Sequence, residues 1–343
     1  MRTLVITIML SAAVATACAK RNLVADGTSR PETETGSTAR QEEYKREITK
    51  DFSVGANPNL SISNKYGNIR IIEGTENKIM FKIEIIGKGS TRERAREYAE
   101  NISVNFSQNG NSVSAVTELK SISCNNCGRT IHYTVVAPRS VTMKLENKYG
   151  NINLDNVAKP LNIDLKYGNL SAGTIADADI DIKYGNIVVS SCDEAKIDIK
   201  YGNLNIDRAK TLRVDSKYDK IHIGAVSTFY LETGYTNVQI DKLEKRFVAD
   251  DLDYGGLTIS EISPSFEEIK VDAKYTNVRL ALNSNHSFKA ILHTHYGNIE
   301  ADGLTFNNVA LRKNSSIVGN VGNNSNPSAN VVIDASYGNI IFK

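Results

Sequence analysis

Two columns of charged side chains recur along this chain at a spacing that could hold an ion. Counted from a recurring tyrosine, an acid stands three residues earlier: Glu146, Asp164, Asp181, Asp198, Asp215, Glu232, Asp251, Asp272 and Asp334. A lysine stands one residue earlier: Lys65, Lys148, Lys166, Lys183, Lys200, Lys217 and Lys274. Residues two apart on a strand face the same way, so an acidic stripe runs beside a basic one. Such stripes could bind a cation or a polyanion, and a carboxylate row could mimic the acid pair of a β-helical polysaccharide-cleaving enzyme. The spacing favours a plainer role. The acids recur at the repeat period, as structure alone requires, and opposite stripes neutralise each other as solvated pairs. No singular acid breaks the pattern, so no catalytic residue is assigned.

Two other groupings carry chemistry. His293 and His295 lie two apart and replace the usual acid and lysine of one repeat. Two imidazoles without a third donor are poor grounds for a metal, and none is assigned. Cys124 and Cys127 form a lone CxxC with no helix or βαβ context. In an oxidising envelope such a pair reads as a local disulfide, and Cys192 as a small core filler. No nucleophile elbow, phosphate loop or metalloprotease helix is present, and no cofactor is implied.

What must position these residues is a repeat. Its marker tyrosines are Tyr66, Tyr149, Tyr167, Tyr184, Tyr201, Tyr218, Tyr235, Tyr254, Tyr275, Tyr296 and Tyr337. From Tyr149 the steps are 18, 17, 17, 17, 17, 19, 21, 21 and 41 residues, a near-fixed period that points to a stacked architecture. Apolar residues stand four before the tyrosine (Ile163, Ile180, Ile197, Val214) and three and five after it (Ile187/Val189, Leu204/Ile206), with polar residues between. That alternation is the mark of half-buried strands.

The inward positions before and after the tyrosine differ in parity, so Tyr-Gly-Asn must be a corner or bulge. Gly and Asn are the residues expected to take left-handed backbone angles there. Stacked corners align Asn151, Asn169, Asn186, Asn203, Asn237, Asn277, Asn298 and Asn339 into a side-chain ladder beside a column of tyrosine rings. The expected fold is mainly β: a parallel β-solenoid (β-helix) of 17–21-residue coils with a small N-terminal α+β subdomain.

Residues 1–17 read as a signal peptide, with Arg2 before a short apolar run. Ala15-Thr16-Ala17-Cys18 ends it in the manner of a bacterial lipoprotein, with Cys18 the lipid-attachment residue; Ala15-Thr16-Ala17 also suits ordinary signal peptidase. Residues 18–41, nearly devoid of apolar side chains, form a flexible tether. Residues 42–140 hold the first coil and an α+β cap. Within it, Ser90-Thr91-Arg92-Glu93 is a capping box, Ala95, Tyr98, Ala99 and Ile102 share a helical face, and Asn109-Gly110 is a hairpin turn. Residues 141–343 are the solenoid repeats, with a degenerate coil at 314–330 and the last repeat leaving an edge open to self-association. Lys+Arg of 41 against Asp+Glu of 39 give a net charge of +2, a balance that gives no support for nucleic-acid binding.

With Lys-Tyr-Gly-Asn-Ile in view, the chain resembles a bacterial candidate-adhesin family of unknown function, over about residues 50 to 343. The resemblance implies a cell-envelope β-solenoid, often lipid-anchored, with no established catalysis and no catalytic residues to transfer. The expected function is non-enzymatic: an adhesin-like or scaffolding lipoprotein at the outer membrane or in the periplasm. Its partners would be the membrane and a glycan or envelope protein. The alternatives are a polysaccharide-active β-helical enzyme and a partner in envelope-stress sensing.

Overall fold

The computed structural model describes residues 41–74, 77–121 and 126–343. The expected export signal, Cys18, the expected tether up to residue 40 and Cys124 lie outside the described residues. Within them the chain is strand almost throughout, with one α-helix, Arg92–Glu100.

The apolar columns become strands because each repeat offers the next the same side chain at the same height. Before the tyrosine, Leu145, Ile163, Ile180, Ile197, Val214 and Leu231 are successive parallel partners. After it, Ile152, Leu170, Ile187, Leu204, Ile221 and Val238 are paired likewise. All of these are buried, each contributing about 1.5–3 kcal/mol by leaving water. A slip of one residue would turn both columns outward, so the register is strongly specified.

The sheet is mixed, however, and an all-parallel stack is not what forms. Antiparallel strands lie at both ends. Glu42–Ser53 pairs antiparallel with Lys78–Gly89, which pairs antiparallel with Gly128–Pro138; the last runs along Ile69–Gly74. The hairpin Ile102–Asn109 and Ser112–Leu119 covers Asn59–Lys65. The two strands flanking Tyr66 therefore expose no bare edge, which is how stacked sheets avoid pairing with other chains. Thr91, not Ser90, caps the helix, accepting the Arg94 N–H at 3.3 Å. Ala95, Tyr98 and Ala99 are buried, and Ile102 falls in the following strand.

At the other end the chain order is broken. Ala329–Ser336 lies between Glu268–Lys274 and Phe288–His295, parallel to both. Ile340–Phe342 likewise lies between Asn277–Leu280 and Ile299–Glu300. The expected open edge at the final repeat is thus absent: its strands are paired on both sides. Nor is 314–330 a degenerate coil. Ser316–Val321 runs antiparallel against Phe288–His295 and is itself covered by Phe306–Lys313. This hairpin covers the outer side of Phe288–His295, while Ile299–Glu300 pairs only with Ile340–Phe342.

Candidate functional site

The corner is built on the tyrosine itself. All eleven marker tyrosines have φ between +52° and +63°, the left-handed region that bulky residues rarely enter. The expectation that Gly and Asn would carry this conformation is corrected: none of the corner glycines has positive φ. Glycine is required for another reason. A Cβ on Gly185 would lie 1.7 Å from the carbonyl oxygen of Gly168, and one on Gly202 1.8 Å from that of Gly185. At these two corners the backbones approach too closely for a side chain.

A left-handed non-glycine residue costs about 1–2 kcal/mol. Two terms offset it. The tyrosine N–H stays in the ladder: Tyr149 donates to the Lys166 carbonyl and Tyr184 to that of Lys200, both at 2.9 Å, worth about 0.5–1.5 kcal/mol each. The rings also stack, at centroid distances from 4.7 to 5.2 Å and interplanar angles up to 17°, adding about 0.5–1.5 kcal/mol per pair. Ten of the eleven rings are between 38% and 51% exposed, whereas Tyr296, at the end of the column, is 82% exposed. Most ring faces meet other rings, so the column presents edges and hydroxyls to solvent.

Where glycine is replaced, the substitute folds back. Asp219 accepts from the N–H groups of Gly202 (2.6 Å) and Lys217 (2.7 Å) and from the Ser216 hydroxyl (2.8 Å). Thr276 accepts the Gly255 N–H at 3.0 Å. The asparagine ladder runs from Asn68 to Asn203. The Asn151 Oδ1 accepts the Asn169 N–H at 2.9 Å, and the Asn169 Oδ1 accepts the Asn186 Nδ2 at 2.8 Å. Lys220 then occupies the column, next to Asn237. It resumes where the Asn277 Oδ1 accepts the Asn339 N–H and the Asn339 Oδ1 that of Asn298.

The charged stripes pair internally. Lys166 meets Asp164 at 3.4 Å, Lys183 meets Asp181 at 3.6 Å and Lys200 meets Asp198 at 3.1 Å; the hydrogen bond to Asp198 raises the Lys200 pKa. Lys148 and Lys217 sit instead over the rings of Tyr149 and Tyr218, at 4.9 and 5.5 Å. His293 bonds the Ser316 hydroxyl through Nδ1 at 2.9 Å. No set of three metal-ligating side chains gathers among the described residues. Cys127 is disulfide-bonded. Cys192 is a buried free thiol pushed up to about 12 by burial.

Sequence reasoning missed the outer face of the strands that precede the tyrosines. A cavity of about 570 Å³ is lined there by Asn59, Ser61, Ser112, Ser114, Thr142 and Asn162, with Lys144, Asp177 and Asp179 at its side. A second, of about 480 Å³, is lined by Asp181, Lys196, Asp198, Arg213, Asp215 and Glu232, and shares Asp179 with the first. The serines and asparagines that line the first cavity are ordinary solvent-facing strand residues one by one. The pairing of Asn59–Lys65 with Ser112–Leu119 on one side and with Thr142–Lys148, then Leu161–Lys166, on the other gathers them.

No family model matches the chain, and no curated protein does. Among solved structures, it is similar to a candidate adhesin from Bacteroides fragilis NCTC 9343, with 15% identity over 66% of this chain and 95% of that one, at a TM-score of 0.38. A candidate adhesin from Parabacteroides merdae ATCC 43184 shares 11% identity over 69% and 97%, at 0.42. A candidate cell adhesion protein from Clostridium sporogenes ATCC 15579 shares 16% over 88% and 99%, at 0.20. Likenesses of this order carry nothing about ligand or activity.

Proposed function

We propose that this chain is a non-catalytic, adhesin-like protein of the cell envelope. It is held to a membrane through Cys18, at the outer membrane or in the periplasm. It binds a glycan or envelope component along the outer face of a parallel β-solenoid. One strand before and one after each tyrosine would make a coil, and eleven coils at about 4.8 Å each would give a stack roughly 50 Å long.

The observation that carries the proposal is the pair of adjoining cavities joined at Asp179. The first sets serine, threonine and asparagine side chains beside the apolar Met143, Pro160 and Leu161, and a sugar ring likewise presents hydroxyls and apolar C–H faces to such a mixed wall. Repetition supports binding over turnover, because the acids three before each tyrosine recur from coil to coil and offer many weak contacts with no single reacting point.

The test is an array of envelope and host glycans probed with the full chain and with a Ser61→Arg/Asn162→Arg variant that fills the first cavity. Retention of a glycan by the wild-type chain, weakened about tenfold or more in the variant, supports the proposal. Retention of none, or equal retention by both, overturns it.

A further inference from the structure

We infer that the corner at Tyr296, where the tyrosine column ends, binds an extended peptide segment of another protein that carries an aromatic residue followed by glycine. The inference starts from what each corner gives to the next. The other ten marker tyrosines donate their N–H to the carbonyl of the residue before the neighbouring tyrosine, as Tyr337 does to His295 at 2.7 Å. The asparagine Oδ1 accepts the next asparagine's N–H, as Asn339 does from Asn298 at 2.9 Å. The residue after the asparagine donates to that next asparagine's carbonyl, as Ile340 does to Asn298 at 3.0 Å.

At Tyr296 the series stops. Among the described residues its N–H meets no carbonyl, and the Asn298 Oδ1 receives no donor. Ile299–Glu300 pairs only with Ile340–Phe342, so the Ile299 N–H has no rung beyond it. The ring stacks on Tyr337 by one face, and the other is bare, which is why Tyr296 is the most exposed of the column. Two donors, one acceptor and a ring face stand together here, in the arrangement that the preceding corners fill with peptide.

The opposite end is built differently. There Arg129 lies over the Tyr66 ring at 5.7 Å, Ile131 donates to the Tyr66 carbonyl at 2.8 Å, and the Asn68 N–H donates to His132 Nδ1 at 3.2 Å. At the Tyr296 end the covering hairpin stops at Thr294, whose N–H donates to the Ser315 carbonyl at 2.9 Å. One terminal corner is covered, and the other is left open.

These groups select the occupant. Backbone donors and an acceptor spaced along an extended rung call for a strand laid beside it, the strand-addition mode of peptide recognition. The bare face calls for an aromatic ring in register. Glycine suits the following position, because a Cβ on Gly297 would lie 1.9 Å from the Gly338 carbonyl oxygen, and one on Gly338 equally close to that of Thr276. A second copy does not supply such a strand. Its Tyr66 corner is covered on the outer side, and a two-fold contact between Tyr296 corners sets their strands antiparallel.

The inference goes beyond the glycan reading and does not rest on it, since Tyr296, Asn298 and Ile299 line neither outer cavity. The experiment is fluorescence anisotropy of a labelled synthetic peptide, Lys-Tyr-Gly-Asn-Ile-Val-Val, which repeats residues 183–189, titrated with the full chain. Saturable binding is expected. Tyr296→Asn removes the ring, keeps a residue that tolerates the left-handed backbone, and should weaken binding about threefold or more. Ile299→Pro, which removes the edge N–H, should weaken it by a similar factor. Tyr66→Asn, at the covered end, should leave the affinity unchanged, and the peptide of reversed sequence should not bind. Absence of saturable binding, equal binding of the reversed peptide, or wild-type affinity in both Tyr296→Asn and Ile299→Pro overturns the inference. So does a dimer of the full chain that Tyr296→Asn dissolves while the peptide goes unbound, which would assign the corner to a second copy.

Discussion

Tyr275 stacks on Tyr337, at 4.8 Å between centroids and 7° between planes, not on Tyr296, the next marker tyrosine in the sequence. Tyr296 instead stacks on the far side of Tyr337, also at 4.8 Å. The final repeat is inserted between two that precede it, which makes it a core element.

That insertion can be tested at Ile333. Its side chain is fully buried and pairs in register with Val271 and Leu292. Ile333→Ala should cost about 2–5 kcal/mol by urea denaturation. Removal of residues 329–343 should strip amide protection from both flanking strands, Glu268–Lys274 and Phe288–His295. Unchanged exchange in those strands would contradict the pairing.

The corner glycines should divide sharply by environment. Gly185→Ala puts a methyl 1.7 Å from the Gly168 carbonyl oxygen and should destabilise by about 3 kcal/mol or more, at or beyond the usual range for overpacking. Gly234→Ala faces open space and should change stability by about 0.5 kcal/mol or less. Equal effects in chemical denaturation would refute the close-approach account.

A pH effect follows from Asp219. Burial raises its pKa above the ordinary 3.8, although hydrogen bonds from Ser216, Gly202 and Lys217 oppose the shift. The folded state then holds the proton more tightly than the unfolded chain. Its contribution to stability is largest below pH 3.8 and is lost as pH rises through the folded pKa. Asp219→Asn should flatten the urea-midpoint profile in that window. A profile with the same slope in both proteins would show that Asp219 does not titrate there.

Much of this was legible in the sequence, for reasons the columns make clear. Ile163, Ile180, Ile197 and Val214 alternate with polar residues at a fixed period, so strands, repeat and inward face follow from spacing alone. The order of the last rungs was not legible. Val271, Leu292 and Ile333 are interchangeable apolar partners, and nothing local says which neighbours which. The left-handed tyrosine was hidden for another reason: Gly and Asn beside it are the ordinary bearers of that conformation, and what excludes a side chain at Gly185 is a backbone 17 residues earlier.

The anchor proposal has its own test. Cells expressing the full chain and fed radioactive palmitate should label it, and Cys18→Ala should abolish the label and release the protein from membranes. Persistent labelling of the alanine variant would place any acyl group elsewhere.

The most direct measurement for the binding role is incubation of the full chain with the glycan it retains, followed by mass analysis of that glycan. The account predicts that the glycan is held, returns intact, and is lost from the Ser61→Arg/Asn162→Arg variant. Shortened products, formed by the wild-type chain and abolished by substitution of a single acid in the outer groove, would contradict it.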